Sequence, residues 1–242
     1  MKTIKELTDA QNALIDEIQE FAESKNLVNE NTCPIYDGVA DIESYLKTSL
    51  KIMWVMKEPY DDKDENGRPI GGGWYMWEAF ERENAWKQKS WKGMTYAVYG
   101  FRNNLYWDKL PAIRQNKNML DELKSVAYIN MSKMPGLNDT KDSQAQSYYN
   151  LWKDILHKQM EVYEPDVFIF GGTFRFFYNP KELESSMQEC FVNPDVNPSI
   201  KAVVYKYNGR WLISVRHPSR DGEKEVYIDT LIDALKYVDE HK

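Results

Sequence analysis

Ile52-Met53-Trp54-Val55-Met56 is a run of five apolar residues that stops at Lys57-Glu58-Pro59-Tyr60. A half-buried strand alternates apolar with polar. A short unbroken run bounded by turn residues predicts a strand covered on both faces, as in a parallel sheet between two helix layers. Strand-like runs are read at 51–56, 126–131, 166–171, 201–207 and 211–215, the last two flanking Asn208-Gly209, a strong hairpin signal. Helix-patterned stretches at 77–82, 142–163, 180–190 and 224–240 fall between or after them, and Ile4, Leu7, Leu14, Ile15, Ile18 and Phe21 give an amphipathic first helix ending near Lys25-Asn26. Strands separated by helices argue for βαβ crossovers.

With 242 residues, no internal repeat and no clear linker, one domain over 1–242 is the simplest organisation, with a helical extension at 1–48. The interval 61–117 carries most of an excess of rings, with a glycine triplet at 71–73, and reads as a lid or a cleft wall. Lys plus Arg number 31 against 38 Asp plus Glu, so the net charge of -7 offers no global attraction to a polyanion, and any nucleic-acid contact must come from a local patch. The one basic stretch with interleaved aromatics, 86–92, suits either a strand of nucleic acid or an exposed helix. Cys33 and Cys190 lack ligand-pair spacing, so no metal or other cofactor is expected. No segment has the length and apolarity of a membrane span, and a soluble, cytoplasmic, monomeric protein is expected.

Four motifs fall at or just beyond predicted strand ends: Met56-Lys57-Glu58-Pro59-Tyr60, Gly67-Arg68-Pro69-Ile70-Gly71, Ile129-Asn130-Met131-Ser132-Lys133 and His217-Pro218-Ser219. In a parallel sheet such ends converge on one rim, where open α/β sheets bind ligands. In this order, over about residues 50–220, the set resembles the uracil-DNA glycosylase superfamily, and 164–171 is similar to the strand between the third and fourth motifs. The sequence departs from that pattern at Met56, where the family has glycine, at Ile70, where it has a stacking phenylalanine, in lacking iron–sulfur cysteines, and at Arg220-Asp221-Gly222 in place of an insertion segment.

The resemblance implies a three-layer α/β/α sandwich with a central, mostly parallel four-stranded sheet and a late β-hairpin. It implies N-glycosidic hydrolysis on uracil-containing DNA, preferably single-stranded because an unpaired base needs no flipping. A carboxylate at Glu58 would position water and stabilise positive charge on the sugar, and an imidazole at His217 would support the departing base. Asn130 would read the base edge, Tyr60 would wall off its C5 side, and Ile70 occupies the stacking position, with Trp74 or Tyr75 nearby to supply a ring. Arg68, Lys133, Ser219 and Arg220 are candidate phosphate contacts. A non-catalytic nucleobase or nucleotide sensor, and a hydrolase of free nucleosides or nucleotides, are the alternatives.

Overall fold

The computed structural model describes residues 2–61, 65–66, 70–136, 141–178, 186–220 and 222–242. Among these the strands are β1 (Gly38–Val39), β2 (Ile52–Met56), β3 (Ala127–Asn130), β4 (Val167–Gly171), β5 (Met187–Val192), β6 (Val203–Tyr207) and β7 (Arg210–Val215), and the helices α1 (Ile4–Ser24), α2 (Ile42–Lys47), α3 (Met76–Phe80), α4 (Lys89–Asn103), α5 (Asp142–Tyr163), α6 (Phe174–Phe177) and α7 (Lys224–His241).

The sheet has seven strands in the order β1-β3-β2-β4-β7-β6-β5, not the four expected. A parallel set, β3-β2-β4-β7, forms its centre. β1 adds an antiparallel edge on one side, and β6 and β5 add two antiparallel strands on the other. The two unexpected strands were hidden for different reasons. β1 is too short to carry a pattern. In β5, which lies partly in the stretch expected to be helical, Met187, Cys190 and Phe191 imitate helical spacing while the strand occupies an edge with mixed exposure. The first part of that stretch lies outside the described residues.

Every residue of β2, β3 and β4 is buried. Trp54, Ile169 and Ile213 point into one core with α4 and α7. Met53, Val55, Phe168 and Phe170 point into a second core with α1 and α5, where Trp152 is also buried. Period-2 alternation thus feeds two apolar layers at once, each large buried side chain contributing about 1.5–3 kcal/mol. The hairpin between β6 and β7 turns at Asn208 (φ 48°) and Gly209 (φ 77°), both left-handed as a type I′ turn requires.

The chain leaves β2 and returns beside it as β3, passing α4 on one face. It then crosses back over β2 through α5 on the other face to form β4. The carboxyl end of β2 is therefore the place where the strand order reverses and the crossover connections diverge, leaving a crevice.

Candidate functional site

A cavity of about 800 Å³ opens at that point, within the size range of small-molecule sites. Its lining comes from the segment after β2 (Lys57 to Asp61), from Tyr128 on β3, from 87–91 at the start of α4, and from His217, Ser219 and Arg220 after β7. Among the expected site residues, Glu58, Tyr60, Trp74, His217, Ser219 and Arg220 line it. Ile70, Asn130 and Lys133 do not, and Arg68 lies outside the described residues.

Glu58 is held through its backbone. The strand-end segment of β2 continues pairing with that of β3: Met131 N donates to Met56 O at 2.8 Å, Ser132 N to Lys57 O at 2.9 Å, and Gly136 N to Pro59 O at 2.8 Å. Pro59 has no N–H to offer and fixes its own φ, so the acid is followed by a stiff turn. Asp61 then accepts from Gly71 N at 2.7 Å and Gly72 N at 3.0 Å, joining the acidic segment to the glycine-rich strip that leads into Trp74.

His217 follows β7. Gly172, at φ +74° just beyond β4, brings its backbone so near that an added Cβ would lie 3.3 Å from His217 N. The backbone N–H of Ser219 donates to His217 Nδ1 at 3.3 Å, and Ser219 Oγ is 2.8 Å from the same nitrogen. In the neutral imidazole this arrangement leaves the proton on Nε2. Beneath the rim, Thr173 Oγ1 donates to Val55 O at 2.7 Å and ties β4's end to β2.

Rings and cations make up the remaining wall. Trp74 and Trp91 are nearly buried, Tyr60 is half-exposed, and the Arg82 guanidinium lies 5.1 Å from the centre of the Trp74 ring. Burial pushes the Tyr128 hydroxyl well above the usual tyrosine range, and the nearby Asp37 charge pushes the same way. Lys57, Arg82, Lys87, Lys89 and Arg220 set five cationic side chains against the carboxylates of Glu58 and Asp61. Among the described residues the lining is positive, in a protein whose total charge is -7.

Two expected ligand contacts belong instead to a buried polar node. Asp37, just before β1, accepts from Lys133 Nζ at 2.7 and 2.9 Å, from Gln159 Nε2 at 2.8 Å, and from Asn130 through its backbone N at 2.7 Å and Nδ2 at 3.3 Å. Lys133 is 0% exposed, so its ammonium neutralises Asp37 rather than meeting a phosphate at the surface. Desolvation lowers the Lys133 pKa, with the Asp37 charge and hydrogen bond opposing that shift. Asn130 is equally buried and spends its amide N–H on Asp37, so it is not a wall of the cavity. Both corrections have one cause: a carboxylate supplied by a residue far away in sequence.

Tyr128 was not among the expected site residues, whereas Arg82, Gln88 and Trp91 fall in the interval 61–117 expected to be a lid or a cleft wall. Tyr128 was detectable, since it stands two places before Asn130 and shares its side of β3. The basic aromatic stretch 86–92 held the signal for the start of α4, while nothing in sequence ties Asp37 to Lys133.

The aromatic interval divides its work. Trp74 and Trp91 line the cavity, whereas Met94, Ala97 and Val98 of α4 pack on the sheet. Among the described residues there is no group of three or more His, Cys, Asp or Glu placed to hold a metal ion, and no helix is long and apolar enough to cross a membrane.

Fold and cavity together define an α/β protein with a cationic, ring-lined crevice at the strand-order reversal of its sheet. No protein-family model matches the chain and no curated protein matches it, so the reading of the crevice rests on its own residues.

Proposed function

We propose that the crevice takes an unpaired nucleobase with its sugar and hydrolyses the N-glycosidic bond between them, with uracil-containing single-stranded DNA as the substrate class suggested by the motif resemblance. The observation that carries this reading is the convergence of Glu58 and His217, 159 positions apart in sequence, on one cavity.

Glu58 orients water toward the anomeric carbon and balances the positive charge that grows on the sugar. The C–N bond breaks with its electron pair going to the base. His217, with its proton on Nε2, donates a hydrogen bond to the base carbonyl where that charge collects. Water oxygen bonds to the sugar carbon, Glu58 takes its proton, and the released base is protonated from solvent. Tyr60, Trp74 and Tyr128 offer rings against which a base can pack.

The test is incubation with uracil-containing single- and double-stranded oligonucleotides, followed by detection of abasic sites. Release that disappears in Glu58→Gln supports the reading; release from neither substrate, or undiminished release in that variant, defeats it. The second reading, a sensor that binds a nucleobase or nucleotide without turnover, is favoured by the commitment of Asn130 to Asp37, which leaves no asparagine amide among the described residues of the cavity wall to read a base edge. Calorimetric binding of bases or nucleotides without product formation would support it.

A further inference from the structure

We infer that a strip of cations beside the crevice holds the phosphodiester backbone of single-stranded nucleic acid. Lys87, Lys92 and Lys117 place their ammonium groups 5.6, 5.8 and 5.9 Å from the centre of one indole ring, that of Trp86. The ring attracts each ammonium but neutralises none of them. Three like charges gathered on one ring repel one another, and an anion relieves that repulsion. Lys92 also lines a second, narrow groove of about 10 Å³, together with Tyr96, Trp107, Arg220 and Lys224 at the start of α7. Among the described residues no carboxylate lines that groove, and Arg220 lines the crevice as well, so the two are continuous.

Elsewhere on the protein cations are answered. Lys2, Lys47, Lys57, Lys124 and Lys158 each reach a carboxylate. Among the described residues none of Lys87, Lys92, Lys117, Lys224 and Arg220 has such a partner, and all but the half-buried Lys92 are exposed. The five are spread over the Trp86 cluster, the groove and the crevice mouth, which suits an anion whose charge repeats along a chain. The groove is too small for a base or an acyl chain, so what it offers a ligand is its charged rim, while the rings of the crevice suit a base. A single strand presents both, and a duplex would first have to flip a base out. The net charge of -7 discourages a polyanion from the rest of the surface and leaves this strip as its place of contact. That the strand feeds a base into the crevice rests on the proposed base-binding reading; the backbone contacts do not.

The test is the binding of a labelled short oligothymidylate, which contains no uracil, followed by fluorescence anisotropy as salt is raised. Each single-strand phosphate neutralised contributes about -0.7 to the slope of log affinity against log salt, so five contacts predict about -3.5, or a loss of about 10²-fold between about 50 and 200 mM salt. Lys92→Ala, Lys117→Ala and Lys224→Ala should each make the slope shallower by about 0.7 and weaken binding several-fold at low salt, with Tm unchanged. Lys153→Ala, on the exposed side of α5 in the opposite helix layer, should change neither slope nor affinity.

No oligothymidylate binding by the wild type, or a slope that the three strip variants leave unchanged, overturns the inference. Tighter binding of a duplex of the same length overturns it too, as does capture by vesicles of phosphatidylcholine and phosphatidylserine in place of the oligonucleotide. Binding with the expected slope in a protein that releases no base would overturn the hydrolytic reading alone. Base release from free deoxyuridine without oligonucleotide binding would overturn the strip alone.

Discussion

Gly136 lies so close to Glu58 that a Cβ added to it would stand 2.5 Å from Glu58 Cγ. The glycine's backbone pairs with Pro59 at the same point, so the acid is packed between its own strand-end segment and that of β3. Gly136→Ala should displace the carboxylate while leaving the fold in place. Base release should fall about 10²-fold, as expected for a misplacement near 1 Å, with a change of only about 1 kcal/mol in the urea midpoint stability.

His217→Ala should lower the rate of base release about 10²–10³-fold, the loss expected when one donor to a developing oxyanion is removed. Steady-state kinetics should place the loss in kcat, since the hydrogen bond strengthens as charge collects on the base.

Lys133→Met should strand Asp37 as a buried carboxylate and cost about 3–5 kcal/mol, read by urea denaturation. Lys133→Met combined with Asp37→Asn should recover much of that loss, because no net charge is then buried. Equal destabilisation in the double variant would mean that packing, not charge, sets the cost.

Asn130→Ala should destabilise by about 1–3 kcal/mol through the lost bond to Asp37. In an oligonucleotide assay the ratio of uracil to cytosine release should stay the same, and a changed ratio would restore the base-reading role to Asn130.

The alkaline limb should be steep. Burial raises the pKa values of Tyr45, Tyr128, Tyr163 and Tyr227 above the ordinary tyrosine value of 10.0. Below that value both folded and unfolded chains keep these protons; above it the unfolded chain loses them first, so stability is full below pH 10 and falls as pH rises. Each contributes a slope of about 1.4 kcal/mol per pH unit. Lys133, lowered from 10.5, acts in the opposite direction, and one lysine against four tyrosines does not reverse the trend. Urea midpoints measured from pH 8 to 11 should show the fall, and Tyr227→Phe should reduce its slope.

The central strands and the long helix were legible because their patterns are local. β2 and β4 are unbroken apolar runs, β3 is one up to Asn130, and the α5 stretch keeps its 3.6 period over 142–163. The placement of Glu58 and His217 at one cavity was legible because each follows a strand readable in the sequence, and parallel strands deliver their carboxyl ends to one rim. Asn130 and Lys133 were misread because the same position at a strand end can face a cavity or a buried partner, and Asp37, which decides between them, sits 93 and 96 residues away. α4 was obscured by Gly93 and Gly100, where the helix packs closely against Pro218 and Ile232, and by the lysines and tryptophan of a first turn that lines the cavity.

Lys133 reaches down to Asp37 while its backbone oxygen accepts from Ile35, and three residues later Gly136 pairs with the chain beside Glu58. The connection makes the acid's placement an outcome of core consolidation. Heat or denaturant should therefore abolish turnover and collapse the tertiary signal in one shared transition, without an earlier inactivation phase.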